Sequence, residues 1–206
     1  METSALTLFI ATFFLVSATP GMCMTLSMSL GMTIGLRRTL WMMGGELVGV
    51  GMVVIFAVIG VATFMLQYPD FFQIFKYMGG AYLGYLGLQL WTSKGRLAIS
   101  HGETEAPRAS PAELAYQGFI TAIANPKGWA FFIALLPPFI DQQLPLAPQM
   151  SILLSLILII EFICLILYAA GGKVLSHLLQ KRANVKLINR LAGLLMLCVG
   201  LWLVLG

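Results

Sequence analysis

The chain has 206 residues, 59% of them hydrophobic and 10% charged, with a formal net charge of +4. A soluble domain carries about a quarter charged residues, so this composition excludes an ordinary globular enzyme and points to one membrane domain. The basic residues are scattered over short connections and form no stripe interleaved with aromatics, which argues against nucleic-acid binding.

Six apolar segments follow one another, each long enough to cross about 30 Å of hydrocarbon: 4–30, 39–66, 71–92, 114–140, 149–171 and 187–205. The first opens on Met1-Glu2-Thr3, lacks a positive n-region and is too long for a secretory leader, so it reads as a span. It is interrupted at Thr19-Pro20-Gly21, a capping residue followed by proline. Arg37 and Arg38 close it. The second segment carries Glu46 in "MMGGELVGVG", at a depth of about 10 Å from the basic end. Gly45 and Gly49, like Gly80 and Gly84 in the third segment, stand at the small-xxx-small spacing that suits close helix contact. Lys76 lies within a turn or so of the third segment's end and reads as a snorkelling side chain.

A polar stretch, Ser100–Glu113, precedes the fourth segment. His101, Glu103 and Glu105 in it make a poor ligand set, with one histidine in a loop, and no metal or other cofactor is expected. The fourth segment contains "AIANPKGWAF", with Asn125-Pro126 as a helix start about 11 residues after Leu114 and about 15 before Ile140. A restarted helix presents N–H groups without intrahelical partners and a partial positive charge. Hydrocarbon does not tolerate such groups, whereas a cavity or a bound anion does. Lys127 reaches about 6 Å, too short to snorkel across the roughly 15–20 Å to either surface. An intramembrane lysine is a functional candidate; pairing with Glu161 or with backbone carbonyls is the structural alternative. Glu161, in "LILIIEFICL", lies about 12 residues into the fifth segment, where a carboxylate takes up a proton or finds a cation. His177, beside the basic connection to the sixth segment, reads as a solvated helix end.

Ten of the twelve basic residues fall in or beside the first, third and fifth connections, whereas the second and fourth carry Asp70 and Asp141. The positive-inside rule then places the odd connections in the cytoplasm and both termini outside. Lys76 precedes Arg190 by 114 positions and Glu46 precedes Glu161 by 115, while Pro20 and Pro126 are 106 apart. Two three-span halves, the second inverted, account for these offsets. The expected fold is an all-α integral membrane protein of six transmembrane helices in two inverted three-helix repeats, the first and fourth helices broken at proline. Residues 1–206 form a single domain, with halves at about 1–95 and 112–206 and a cytoplasmic linker at about 93–113.

Cys23, Cys164 and Cys198 all lie in apolar segments, an odd number that argues against a disulfide framework. No glycine-rich phosphate loop, Ser/His/Asp set or His-x-x-x-His pair is present, so no enzyme activity is expected.

Several blocks resemble the LysE/RhtB family of bacterial amino-acid exporters. "ANPKGWAFFIALLPPFID" is similar to that family's Asn-Pro-Lys…Phe-Phe…Pro-x-Phe-x-Asp signature, "FKYMGGAYLGYLGLQLW" to its third-span pattern, and "ATPGMCM" to its first-span Pro-Gly-Pro motif. Here Gly21 is followed by Met22-Cys23-Met24, without the second proline. The resemblance implies proton-driven efflux of an amino acid or derivative across the inner membrane. A zwitterion needs two poles. Its carboxylate is expected at Thr19, Pro20, Gly21, Asn125, Pro126, Lys127 and Gly128, and its ammonium, or the coupled proton, at Glu46 and Glu161. The partners are then an amino-acid-like small molecule, protons and the lipid bilayer; a homo-oligomer is left open. Two rivals are an intramembrane thiol–disulfide carrier using Cys23 and Cys164, and a non-transporting membrane scaffold.

Overall fold

A computed structural model describes residues 3–67, 77, 80–82, 84–85, 87–89, 91–92, 109–141, 143–172 and 182–205. Lys76, His101, Glu103, Glu105, His177 and most of the basic residues of the third and fifth connections lie outside them. Among the described residues all regular structure is helical: α1 (Thr3–Ala18), α2 (Met22–Thr33), α3 (Leu36–Gln67), α4 (Pro111–Ile123), α5 (Pro126–Leu135), a 3-10 turn (Pro137–Phe139), α6 (Leu146–Ala170) and α7 (Arg182–Leu205). The described residues between 77 and 92 are helical as well.

Among the described residues two helices, α3 over Leu36–Gly60 and α6 over Leu146–Ala170, are long and apolar enough to cross a bilayer, and α1 with α2 makes a third such unit, bent by 56° at its break. Both expected interruptions are present. The second falls where the sequence places it: Asn125 is the N-cap of α5, its side chain accepting from the Lys127 N–H at 3.1 Å, with Pro126 in the first turn. The first differs in detail. Thr19 does not cap α2. Its hydroxyl donates back to Leu15 O at 2.7 Å, because a threonine at a helix end finds a carbonyl of the turn it closes before it finds the next helix. Gly21, in extended conformation, is the N-cap, and it brings no side chain to the α2 amides.

Between α2 and α3 the chain turns at Gly35, whose φ of 81° is the left-handed conformation that favours glycine at a helix end. At the start of α4, Ser110 and Glu113 form a reciprocal capping box, and the Ser110 N–H holds the Glu113 carboxyl below its usual pKa. A depressed carboxylate contributes its stabilisation above the unfolded pKa and loses it as pH falls through the folded value. Arg38 donates to Ala109 O at 2.7 Å, so the first connection lies against the entry to α4. At the end of α5, Pro137 and Pro138 stop the helix for want of N–H groups. The buried Gln149 then pins the following loop by bonding the Asp141 backbone at both its N–H and its C=O.

Small residues set the closest crossings. A Cβ added at Gly45 or Gly118 would run into the backbone of Ala115 and Met42 respectively, so α3 and α4 touch main chain to main chain. Gly49 continues this seam against Ala122 and Phe119. Gly31 of α2 meets Ala169 of α6 in the same way. The glycine pairs expected to mediate close contact do so at Gly45, Gly49 and Gly80, the last against Gly200 of α7, while Gly84 faces open space. The Arg190 guanidinium lies 5.8 Å from the Trp91 ring centroid, a further tie between the third and sixth segments.

Candidate functional site

The two interruptions meet. A cavity of about 60 Å³ lies between them, lined by Ser17, Thr19 and Gly21 from the first break, Asn125, Lys127 and Gly128 from the second, and Glu161 from α6. At roughly 10–15 Å³ per water-sized group, this is room for about four to six such groups, or the ammonium, Cα and carboxylate of an amino acid. Its apolar wall is built from Phe13, Phe131 and Phe132, with Val50, Val53 and Met24. The three phenylalanine rings stand 5.8–5.9 Å apart, within the range of favourable aromatic contact.

The helix ends around the cavity are unequally satisfied. At the carbonyl end of α1, Lys127 Nζ donates to Val16 O at 3.1 Å and the Tyr168 hydroxyl donates to Ala18 O at 2.8 Å. At the start of α5, Pro126 has no N–H, Lys127 N donates to the Asn125 side chain, and Gly128 N donates to Asn125 O at 3.1 Å. The α5 end therefore offers its dipole and the Lys127 ammonium rather than free amides. The start of α2 is bare of any side-chain cap, and its first backbone bond closes at Thr25 N to Gly21 O. Lys127 Nζ stands beside it: a Cβ placed on Gly21 would lie 3.8 Å from that nitrogen. An ammonium next to uncapped amides is a place for an anion.

The opposite pole is acidic. Glu161 Oε2 accepts from the Ser17 hydroxyl at 2.6 Å, and Lys127 lines the same cavity. Glu46 lies behind the wall, not in it. It has no exposed surface, and neither of its oxygens has a hydrogen-bond partner. The Glu161 carboxyl and the Cys23 thiol are the titratable groups that act on it. Cys23 in turn receives the Asn125 side-chain N–H at 3.6 Å.

Of the residues named from sequence, Thr19, Gly21, Asn125, Lys127, Gly128 and Glu161 line the cavity; Pro20 and Glu46 do not, and the side chain of Pro126, at the start of α5, lies outside what the structure describes. Cys23 lines it and Cys164, buried on α6, does not; both are free thiols. Sequence reading gave no site role to Ser17, Tyr168 or Phe13, and met Phe131 and Phe132 only as the Phe-Phe pair of the family signature. Ser17 was visible as a hydroxyl two residues before Thr19; Tyr168 and Phe13 carry no signal that separates them from ordinary span residues.

A solute-sized cavity where two interrupted apolar helices meet, with an ammonium on one side and a carboxyl on the other, is the arrangement of a membrane transport protein of the broken-helix kind. The chain belongs to the LysE type translocator family, whose family model matches residues 13–206. It is 27% identical over 192 residues to a homoserine/homoserine lactone efflux protein of Salmonella typhimurium, covering 93% of this chain and 92% of that one. To a leucine efflux protein of Salmonella choleraesuis it is 31% identical over 157 residues, or 73% and 71% of the two chains. A membrane protein of Vibrio cholerae is 27% identical over 195 residues, 95% of this chain and 94% of that one. No solved structure matches.

Proposed function

We propose that this translocator exports an amino acid or amino-acid derivative from the cytoplasm in exchange for protons, by alternating access across the bacterial inner membrane. Membership of the family and the efflux proteins among its relatives support export of an amino-acid-like substrate. The single observation that carries the mechanism is the cavity itself, with Lys127 and the bare start of α2 at one pole and Glu161 at the other.

The substrate carboxylate sits against Gly21 and Lys127, within the positive field of two helix N-termini. Asn125, Pro126 and Gly128 hold Lys127 in place by fixing the start of α5, and Thr19 and Pro20 fix the end of α1. The substrate ammonium faces the carboxylates, Glu161 with Glu46 behind it, which between them also serve the proton. Six spans in two inverted halves rock about this site, with both termini outside. The Arg38 bond to Ala109 supports that topology, since it brings the first and third connections to one side. Within the cavity the solute's charges replace protein–water contacts with fixed dipoles, so affinity falls on the α-amino acid head while the aliphatic part meets Val50, Val53 and the phenylalanines.

The test is efflux from cells. Cells expressing the protein are fed dipeptides that release single amino acids, homoserine and leucine among them, and external amino acids are followed with and without a protonophore. Export of at least one amino acid that stops on collapse of the proton gradient is the expected result. External levels equal to those of cells lacking the protein, across the whole panel, would reject the reading.

A further inference from the structure

The two carboxyls of the site live in different surroundings, and those surroundings divide their labour. Glu161 lines the cavity, where it accepts a hydrogen bond from Ser17 and shares the wall with Lys127, so an ionised Glu161 has a donor and can meet an arriving cation. Glu46 does not line the cavity: it has no exposed surface, its oxygens have no hydrogen-bond donor in good geometry, and the polar groups against it are the Cys23 thiol and the Glu161 carboxyl. A carboxylate so placed has only a weak S–H donor and a second acid in place of its lost water, whereas a neutral carboxylic acid is tolerated.

The elements packed against Glu46 offer no counter-charge. From α2 comes the Cys23 thiol, and from α6 the Glu161 carboxyl, itself an acid. From α4 comes Gly118, where an added Cβ would lie 2.9 Å from the Glu46 amide nitrogen. The ammonium of α5, Lys127, is engaged with Val16 O.

We propose that Glu46 is the proton carrier and Glu161 the ammonium partner: Glu46 holds a proton while the cavity is empty and gives it up when a substrate ammonium settles beside Glu161. This rests on the exporter reading and assigns within it which acid does which task. The coupling is electrostatic. Each acid acts on the other, and a cation arriving at Glu161 favours the ionised form of its neighbour. On release the Glu46 O–H bond breaks and the proton passes, past Cys23 and Glu161, to water in the cavity while it is open to the cytoplasm. It is replaced from outside when the site opens there. Pairs of acids whose environments differ this much are the usual way in which one site keeps one group ionised and the other protonated.

Proton release on binding tests this. Purified wild type, Glu46→Gln and Glu161→Gln are titrated in weakly buffered detergent solution with homoserine and with leucine, the remaining standard amino acids following, while binding and pH are read together. Wild type is expected to release protons as it binds. Glu46→Gln is expected to bind but release none, and Glu161→Gln to lose affinity by about 30-fold or more. If Glu46→Gln releases as many protons as wild type, or Glu161→Gln binds normally and releases none, the assignment is overturned. Should Glu46→Gln fail to fold, Glu46→Asp takes its place. Its proton release is expected at a shifted pH midpoint, and an unchanged midpoint overturns the proposal. Wild type that binds without releasing protons overturns the Glu46 assignment and leaves the exporter reading standing, whereas wild type that binds none of the panel removes both.

Discussion

Ser17 on α1 and Glu161 on α6 are 144 positions apart in sequence and are joined by a hydrogen bond of 2.6 Å, hydroxyl to carboxyl. The bond holds the carboxyl in the cavity wall, beside the end of α1. Hydrogen bonds to charged groups contribute about 1.5–3 kcal/mol, so Ser17→Ala should raise the substrate KM by roughly 10- to 100-fold with little change in the amount of protein in the membrane. Initial efflux rates against internal substrate concentration check it. A KM within twofold of wild type would mean that Glu161 is positioned by something else.

The Lys127 ammonium stands beside the uncapped start of α2. In Lys127→Met the substrate carboxylate keeps the helix field and loses its counter-ion, and efflux should fall by about 100-fold. Lys127→Arg should not rescue it, because a planar guanidinium does not fit where a single Nζ donates to Val16 O. Efflux from loaded vesicles, normalised to protein content, distinguishes these outcomes from simple loss of expression.

Gly21 is extended, a conformation open to any residue, and an alanine Cβ there would make ordinary contact with Lys127 Nζ at 3.8 Å. Gly21→Ala should therefore transport within about threefold of wild type, while Gly21→Val, whose branches reach into a cavity of about 60 Å³, should abolish transport without unfolding the protein. Parallel transport and thermal-unfolding measurements on the two variants separate blockage from misfolding.

Gly118 and Gly45 have no such latitude. A side chain at either collides with the main chain of the facing helix. Gly118→Val should cost about 1–3 kcal/mol or more by forcing α3 and α4 apart, seen as a lower unfolding temperature in detergent and as less protein in the membrane. Gly84→Val, at a glycine with open space, is the control that should leave both unchanged.

The sequence carries the broken helices well, because proline after a capping residue has few meanings inside an apolar run. Asn125-Pro126 announces both the break and its cap, and the cap is as expected. Thr19 carries the same signature but turns its hydroxyl back to Leu15 O, a choice set by the geometry of the preceding turn, which no residue pattern reveals. The meeting of Glu46 and Glu161 was not legible: the sequence sets Glu46 about 10 Å from the basic end and Glu161 near mid-span, and the packing of α3 against α2 and α6 brings them together. Nor was their difference in burial, since it depends on how tightly α3 and α4 close through Gly45 and Gly118. Which amides remain free at the two restarts is likewise a matter of three-dimensional accounting. Asn125 satisfies its own helix, and Gly21, lacking a side chain, cannot.

The proposed function makes Glu161 the partner of the substrate's ammonium, and its most direct test is the initial rate of homoserine and leucine efflux from loaded vesicles carrying wild type or Glu161→Gln at equal protein content. The neutral amide keeps the shape and removes the negative pole, so the variant should insert, remain folded and export at less than about one hundredth of the wild-type rate. Export at the wild-type rate would show that the cavity between the breaks does not hold the substrate's ammonium.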